Sequence, residues 1–359
     1  MSHRLTIKEA LTQAADLLTD SDSSLLDSEV LLAHVLKKTR SYFRAWPEKV
    51  LTPNELKAFQ HLIEQRKTGQ PIAYLTGERE FWSRSFNVSP DVLIPRPDTE
   101  LLIDIVQENF SPDQAFSILD LGTGSGIIAI TLALEFKNAT VTAVDISEKA
   151  LSMAKKNARQ HKADHIQFIL SSWFKNIPKN RFDLIISNFY LNICEDLKKI
   201  LSKIMKSLLP NGFFLATLPS PENFSLLRSA MMKTDMQLYG GTYNRFNRTP
   251  ELHTIIDLLK KNNFKIPLVD YETIDLTYKQ FSKLLNDVRS MNLSYYQKDK
   301  KNTFEKKSYF SKLEGNFEKE NDHFNLKSNF YIISGWKDHS SQQKPIRPGQ
   351  AKNKLADFL

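Results

Sequence analysis

Residues 118–126 read ILDLGTGSG, and this short stretch decides the fold of the chain. An apolar strand, Ile118–Leu121, runs into a glycine-rich turn that opens into an apolar helix over 127–134. Glycine has no Cβ and tolerates positive φ, so the turn can be tight and a ligand can approach its backbone. The stretch therefore predicts a strand, a ligand-binding turn and a helix in succession.

The next apolar stretch ends in an acidic residue, which indicates what kind of ligand the turn binds. Val141–Val144 has the character of a strand and ends in Asp145. An acid at the tip of the strand that follows a glycine turn can accept hydrogen bonds from both hydroxyls of a ribose. The spacing here, G-x-G-x-G, is tighter than the G-x-G-x-x-G of dinucleotide sites. The turn and Asp145 together predict an adenosine-containing cofactor, and the alternative is a glycine turn that only reverses the chain.

Strand and helix patterns alternate beyond this point and indicate an α/β fold. We expect a mostly parallel, seven-stranded Rossmann-like sheet with helices on both faces, preceded by an N-terminal helical domain. Aromatic residues predict a short hairpin over 78–88, whereas residues 297–327 are rich in lysine, glutamate and asparagine and predict a loop or a loose helix. The predicted strands of the sheet are 116–121, 140–145, 166–170, 183–187, 213–218, 265–275 and 329–336.

These patterns divide the chain into four predicted segments. Residues 1–75 form a helical, partner-binding domain, and residues 76–110 form the hairpin and a linker helix. Residues 111–295 form the cofactor-binding α/β domain. Residues 296–359 form a basic C-terminal extension with a final strand.

The composition is that of a soluble globular protein, with 41% hydrophobic and 25% charged residues among 359. No apolar run approaches the ~20 residues of a membrane span. Cys194 is the one cysteine, which excludes an internal disulfide and favours a reducing, cytoplasmic location. The histidines lack metal-binding spacing, so no metal is expected. The net charge of the chain is +8. The basic C-terminal segment is either a solvated surface or a contact for RNA or a ribosomal partner.

The first half of the chain, from about residue 5 to 186, closely resembles the release factor glutamine methyltransferases. The resemblance is carried by PIAYLTGEREFW (71–82), by LIPRPDTE (93–100), by the glycine turn and by Val141–Ser147. It implies a class I methyltransferase fold with S-adenosylmethionine (SAM) as the cofactor. It also implies that the helical domain docks a release factor and that a glutamine side-chain amide of that factor is methylated.

The resemblance implies a SAM site at the strand tips. Asp145 would bind the ribose. Asp120 would either reach the methionine ammonium or cap the turn. The turn residues that would cradle the methionine end are Gly122, Thr123, Gly124 and Gly126.

Two motifs depart from the family pattern. The family has Asn-Pro-Pro-Tyr after strand four, and here Asn188 is followed by Phe189 and Tyr190. Asn188 is the expected acceptor for the substrate amide and also an expected contact of the cofactor. Tyr190 is expected either to stack on the substrate amide or to pack in the core. Where the family has Gly-Asp-Trp, Ser172 would bind the adenine amino group without charge, and Trp173 would lie beside the adenine or in the core.

The proline pair has a chemical role in the family pattern, because it fixes the direction of a backbone carbonyl by locking φ. With both prolines missing, the amide of the substrate is expected to be positioned less well, which costs roughly a hundredfold in rate for a displacement of ~1 Å. Restoring them with Phe189→Pro and Tyr190→Pro is therefore expected to raise the activity.

From about residue 183 onward the chain is similar to the complex I assembly methyltransferase-like proteins. The motifs are YNRF (243–246), DVRSM (287–291) and GWKDHSSQQKP (335–345). This resemblance implies, as an alternative, hydroxylation of a complex I subunit, carboxyl methylation, or a SAM-binding assembly factor without transfer. The sequence thus predicts a chain built from two related methyltransferases that join inside strand four, with glutamine methylation of a release factor as the expected function.

Overall fold

The N-terminal part of the chain is helical, and two of its helices begin at capping boxes. The Thr6 hydroxyl accepts a hydrogen bond from the backbone of Glu9, whose carboxylate accepts one from the backbone of Thr6. Thr52 and Glu55 repeat this arrangement at a helix that starts with a proline. The helices are α1 (Ile7–Leu17), α2 (Ser24–Leu36), α3 (Arg40–Ala45), α4 (Pro53–Lys67) and α5 (Ile72–Thr76).

The structure, a computed structural model, describes residues 4–19, 21, 23–171, 178–194, 196–291 and 305–342. Within these residues the predicted hairpin is present as β1 (Glu78–Phe81) and β2 (Arg84–Asn87), which pair antiparallel. The hairpin is followed by α6 (Glu100–Asn109), and the Glu100 carboxylate accepts a hydrogen bond of 2.8 Å from the backbone N–H of Trp82 in the hairpin turn. This bond joins the hairpin to the helix that leads into the sheet.

A seven-stranded sheet forms the centre of the α/β part. Its strands are β3 (Ser117–Leu121), β4 (Thr140–Asp145), β5 (Gln167–Leu170), β6 (Phe182–Asn188), β7 (Leu208–Pro219), β8 (Phe264–Tyr278) and β9 (Phe324–Lys337). Their order across the sheet is β5-β4-β3-β6-β7-β9-β8. The first five strands in this order pair in parallel, and β9 runs antiparallel to both β7 and β8. The mostly parallel seven-stranded sheet expected from the sequence is confirmed.

Alternate residues of the central strands enter two hydrophobic cores, one on each face of the sheet. Ile118 and Ile186 lie in one core, and their neighbours Leu119 and Ile185 lie in the other. This pattern of burial on both faces is why the parallel strands read as continuous apolar runs. The helices that cover the two faces and the end of the sheet are α7 (Ile127–Glu135), α8 (Glu148–Gln160), α9 (Leu197–Ser207), α10 (Ser225–Tyr239), α11 (Leu252–Lys261), α12 (Phe281–Ser290) and α13 (Lys307–Asn316).

The segment over 297–327, expected as a loop or a loose helix, contains regular structure where it is described. Residues 307–316 form α13, and β9 begins at Phe324, earlier than the predicted strand. The polar composition conceals an apolar face, because Tyr309, Leu313 and Phe317 recur at intervals of four residues and are buried together. The boundaries of the four predicted segments stay a prediction, although β9 lies inside the sheet between β7 and β8.

Within the described ranges, none of the helices has the length and the apolar character needed to cross a bilayer.

Cys194 is a free cysteine with a half-buried side chain, and burial raises the pKa of its thiol to about 11. At neutral pH this thiol is protonated and is therefore a weak nucleophile.

Candidate active site

The glycine turn lies at the carboxyl ends of β3 and β4, the edge at which open α/β sheets bind ligands. Gly122, Gly124 and Gly126 have φ values of 78°, 56° and 79°, in the left-handed region that glycine adopts without strain. A Cβ placed on Gly124 would meet no heavy atom within 4 Å. The backbone beside Gly124 is therefore an open cradle of the kind that the predicted SAM site requires.

Asp145 holds this cradle in shape. Its Oδ2 accepts a hydrogen bond of 2.9 Å from the backbone N–H of Gly124, and its Oδ1 accepts one of 2.9 Å from the N–H of Ser147. The two oxygens of a carboxylate offer about four acceptor positions. The half-buried Asp145 can therefore hold the turn and still accept bonds from a pair of ribose hydroxyls.

Asp120 lies below the turn and is nearly inaccessible, with 1% of its surface exposed. Its Oδ2 accepts a 2.6 Å hydrogen bond from the hydroxyl of Thr123, which is the capping role that the sequence left open. Burial raises the pKa of Asp120 to about 7, and the nearby charge of Asp145 adds to this effect. A cation beside the turn, such as an ammonium group, would lower that pKa by stabilising the carboxylate.

This raised pKa gives a pH dependence for cofactor binding. If the methionine ammonium of SAM binds the ionised Asp120, SAM affinity should rise roughly fivefold between pH 6 and pH 7, because the ionised fraction rises by that factor around a pKa of about 7. Isothermal titration at a series of pH values between 5.5 and 7.5 measures this. Asp120→Asn, which keeps an acceptor for Thr123, should give a flat profile. A flat profile in the unmodified protein would contradict the ammonium role.

Asn188 ends β6 and is fixed by two threonines. Its Oδ1 accepts a 2.6 Å hydrogen bond from the hydroxyl of Thr217, and its Nδ2 donates to the hydroxyl of Thr99 at 3.2 Å. The Thr217 oxygen in turn accepts from the backbone N–H of Phe189 at 2.9 Å. In this arrangement Oδ1 is the accepting end of the Asn188 amide and Nδ2 is the donating end, and Oδ1 keeps one further acceptor position.

The backbone after Asn188 follows a path that proline cannot take. Phe189 has φ of 49°, whereas proline is locked near −65°. Its N–H is also used, because it donates to Thr217, and proline has no N–H. The Phe189→Pro and Tyr190→Pro pair expected to raise the activity therefore does not fit this backbone without local rearrangement. The chain directs its backbone differently from an Asn-Pro-Pro-Tyr site.

Tyr190 lies directly against the glycine turn. A Cβ placed on Gly122 would be 2.7 Å from Cγ and Cδ2 of the Tyr190 ring. The ring packs against one of the two sheet cores, close to Leu191. Burial raises the pKa of Tyr190 to about 12, and nearby Cys194 and Asp145 contribute, so the hydroxyl stays protonated. The packing favours the core role that the sequence left open, and stacking on a substrate stays a prediction.

The segment before α6 joins the site to the far end of the chain. Arg96 pairs with Asp287 of α12 at 3.2 Å, with both side chains about one-third exposed. Ser172 and Trp173, the predicted adenine contacts, lie outside the described residues.

Sequence reasoning missed the two threonines that hold Asn188. Thr99 lies in the LIPRPDTE motif, so its membership of the motif was a usable signal; the structure shows it buried and bonded to Asn188. Thr217 gave no local signal. It lies beside Asn188 only because β6 and β7 pair in parallel with these two residues in register.

Comparisons with known proteins match both parts of the chain. A family profile described as a methyltransferase domain matches residues 112–307, and another, described as the PrmC N-terminal domain, matches residues 9–77. The YcgJ protein from Bacillus subtilis superposes with a TM-score of 0.45 at 14% identity, covering 67% of this chain and 100% of that chain.

Curated relatives match about half of this chain. A release factor glutamine methyltransferase from Aliivibrio fischeri is 46% identical over 187 residues, which cover 51% of this chain and 66% of that protein. One from Coxiella burnetii is 40% identical over 185 residues, covering 51% of this chain and 67% of that protein. The chain thus spans about two thirds of the length of these relatives.

Proposed function

Because this chain belongs to the methyltransferase domain family, whose profile matches residues 112–307, we propose that it methylates the side-chain amide of a glutamine in a peptide chain release factor. The observation that carries the proposal is Asn188, held at the end of β6 with one free acceptor position on Oδ1. The match of residues 9–77 to the PrmC N-terminal domain and the identity to release factor glutamine methyltransferases support this choice of substrate. A cytoplasmic location is part of the proposal.

The proposed cofactor is SAM, which supplies an electrophilic methyl group on a sulfonium. The open backbone at Gly124 and the acceptor positions of Asp145 fit its methionine and ribose ends. Asp120 fits a cationic ammonium, because an uncompensated carboxylate at this depth resists ionisation. Thr123 supplies the hydroxyl that orients Asp120.

The substrate amide is a poor nucleophile because its nitrogen lone pair is delocalised, so positioning supplies most of the rate enhancement. Asn188 Oδ1 would accept a hydrogen bond from the glutamine N–H and aim the nitrogen at the methyl group. Thr217 and Thr99 keep the Asn188 amide from turning, so its acceptor end stays directed at the substrate. The altered backbone at Phe189 leaves the second N–H of the substrate without the carbonyl that the family pattern supplies, and we expect slow transfer.

The direct experiment uses purified release factor and SAM labelled in its methyl group. We expect label on the glutamine, and we expect Asn188→Ala to lower its rate of appearance about a hundredfold while SAM affinity stays the same, because the loss falls on positioning. Asn138→Ala is the matched control, since Asn138 also donates a side-chain hydrogen bond, to the Asp113 carbonyl at 2.9 Å, but lies on the surface away from the site.

A second candidate is a different modification, in which the C-terminal half sets the chemistry. This modification would be hydroxylation of a complex I subunit or carboxyl methylation. A related alternative is a SAM-binding assembly factor without transfer activity. The left-handed φ of Phe189 favours it, because this backbone is incompatible with the proline pair of the glutamine-methylating family. Intact SAM binding without label on the release factor would replace the first candidate with this one.

A further inference from the structure

A cavity of about 310 Å³ lies between α10 and the loop over 242–248. Its walls combine apolar side chains, among them Met231 and Phe246, with charged groups, namely the guanidinium groups of Arg228, Arg245 and Arg248 and the carboxylate of Asp235. This volume is at the small end of sites for small molecules and suits a short ligand or a single side chain, not a folded partner. None of the residues proposed to hold SAM or the substrate amide lines it.

Arg228 carries a positive charge that no carboxylate compensates among the described residues. Its Nε donates to the backbone carbonyl of Asn223 at 2.8 Å, and its guanidinium lies 4.5 Å from the centre of the Phe246 ring. Burial lowers its pKa, which is the direction expected for a cation removed from water without an acidic neighbour. Within the described ranges, the Nε bond is the one hydrogen bond of this guanidinium, so most of its five N–H donors remain for a ligand.

The adjacent arginine shows the contrasting case. Arg245 pairs with Asp235, and it also contacts Glu305 at 2.9 Å. Burial alone would lower its pKa, but the hydrogen bonds to these two acids outweigh burial and raise it. The carboxylates of Asp235 and Glu305 therefore compensate the charge of Arg245. Arg248, which is exposed, has no acidic partner in the part of the chain that the structure describes, so Arg228 and Arg248 together leave the cavity positive.

We propose that this cavity binds an oxyanion, a carboxylate or a phosphate monoester, carried on a short apolar group. The head group would accept hydrogen bonds from Arg228 and Arg248, and the apolar part would pack against Met231 and Phe246. An anion would also relieve the cost of burying the Arg228 charge alone.

The cavity is connected to the candidate active site. The Asn247 side chain, in the loop that forms one wall, donates to the backbone carbonyl of Asn192 at 3.3 Å, in the turn that follows Asn188. Phe246 and Phe189 pack against the same hydrophobic cluster. An anion bound here would therefore order the loop beside Asn188. The proposal needs neither SAM nor methyl transfer and stands independently of the proposed function.

The test titrates the purified full chain with hexanoate, hexyl phosphate, hexanol and hexylammonium, with binding followed by calorimetry or by NMR shifts. We expect one or both anions to bind and hexanol and hexylammonium to bind at least tenfold more weakly. The tighter of the two anions identifies the head group. Arg228→Gln should lower the affinity for the anion about tenfold to a hundredfold, as expected for the loss of hydrogen bonds from a charged group.

Two further variants keep the test decisive. Arg248→Gln changes an exposed side chain, so it is suitable if Arg228→Gln fails to fold, and it should also weaken the anion. Arg181→Gln is the matched control, because the Arg181 guanidinium also lies over an aromatic ring, 5.7 Å from the centre of the Phe182 ring. Phe182 is the first residue of β6, at the end of that strand away from Asn188. The proposal would be overturned if hexanol bound as tightly as the tighter of the two anions, or if neither anion bound up to 10 mM (about the limit of useful titration). Unchanged anion affinity in both Arg228→Gln and Arg248→Gln would also overturn it.

Discussion

Asp145→Ala should weaken SAM binding about a hundredfold to a thousandfold. The carboxylate is proposed to accept both ribose hydroxyls, and each hydrogen bond to a charged group contributes about 1.5–3 kcal/mol. The substitution also frees the N–H groups of Gly124 and Ser147, so the turn loses the contacts that fix its shape before the cofactor arrives. Isothermal titration with SAM at constant pH and salt measures the change.

Asp183→Ala is the control for this variant. Asp183 Oδ2 also holds a neighbouring strand, because it accepts from the backbone N–H of Ser117 at 2.8 Å and from its hydroxyl at 2.7 Å. It lies near the start of β6, at the end of the sheet away from the turn. We expect Asp183→Ala to lower stability and to leave SAM affinity within about twofold, as for a distant and independent site. Equal losses of affinity in both variants would show that general loosening of the sheet, not the ribose contact, causes the effect.

Gly122→Ala should lower the free energy of unfolding by about 2–6 kcal/mol, the sum of a strain cost and an overpacking cost. An alanine at φ of 78° is strained, which costs about 1–3 kcal/mol. Its Cβ would also overlap the ring of Tyr190 at 2.7 Å, and overpacking adds about 1–3 kcal/mol. Denaturant unfolding, followed by circular dichroism, gives the value.

Gly240→Ala separates these two costs. Gly240 has φ of 69°, but a Cβ placed there meets nothing within 4 Å, so only the strain of about 1–3 kcal/mol remains. The overlap is tested further by combining Gly122→Ala with Tyr190→Ala, which should show a favourable coupling of about 1 kcal/mol or more. A Gly122→Ala variant no less stable than Gly240→Ala would mean that Tyr190 does not lie against the turn.

Much of the fold could be predicted because its strongest signals are local. The apolar strand, the glycines and the apolar helix around residue 122 each follow from neighbouring residues, and the structure places β3, the turn and α7 as expected. Helix α13 lies in the segment predicted as a loop or a loose helix. Its regular form could not be predicted because its lysines mask a buried face, which becomes evident only when Tyr309 and Leu313 pack against distant elements. Local composition cannot report such a partner.

The candidate site could be predicted where chemistry and spacing coincide. The glycines and Asp145 were placed at one edge of the sheet from sequence alone, although their roles stay proposals. The bond from Thr217 to Asn188 depends on the pairing of β6 with β7, which no short motif encodes. The left-handed φ of Phe189 was equally out of reach, since a phenylalanine has no intrinsic preference for it.

The position of β9 sets the order in which this protein can assemble during synthesis. β8 leaves the ribosome before β9, yet across the sheet it reaches β7 only through β9, which pairs with both. Until residues 324–337 have been made, β7 is an open edge and β8 a strand without a neighbour in the sheet. A nascent chain halted before that point would contain the whole glycine turn, but the unpaired N–H and C=O groups of its strand edges could pair with other chains. Protection by chaperones during translation therefore matters most in this late interval.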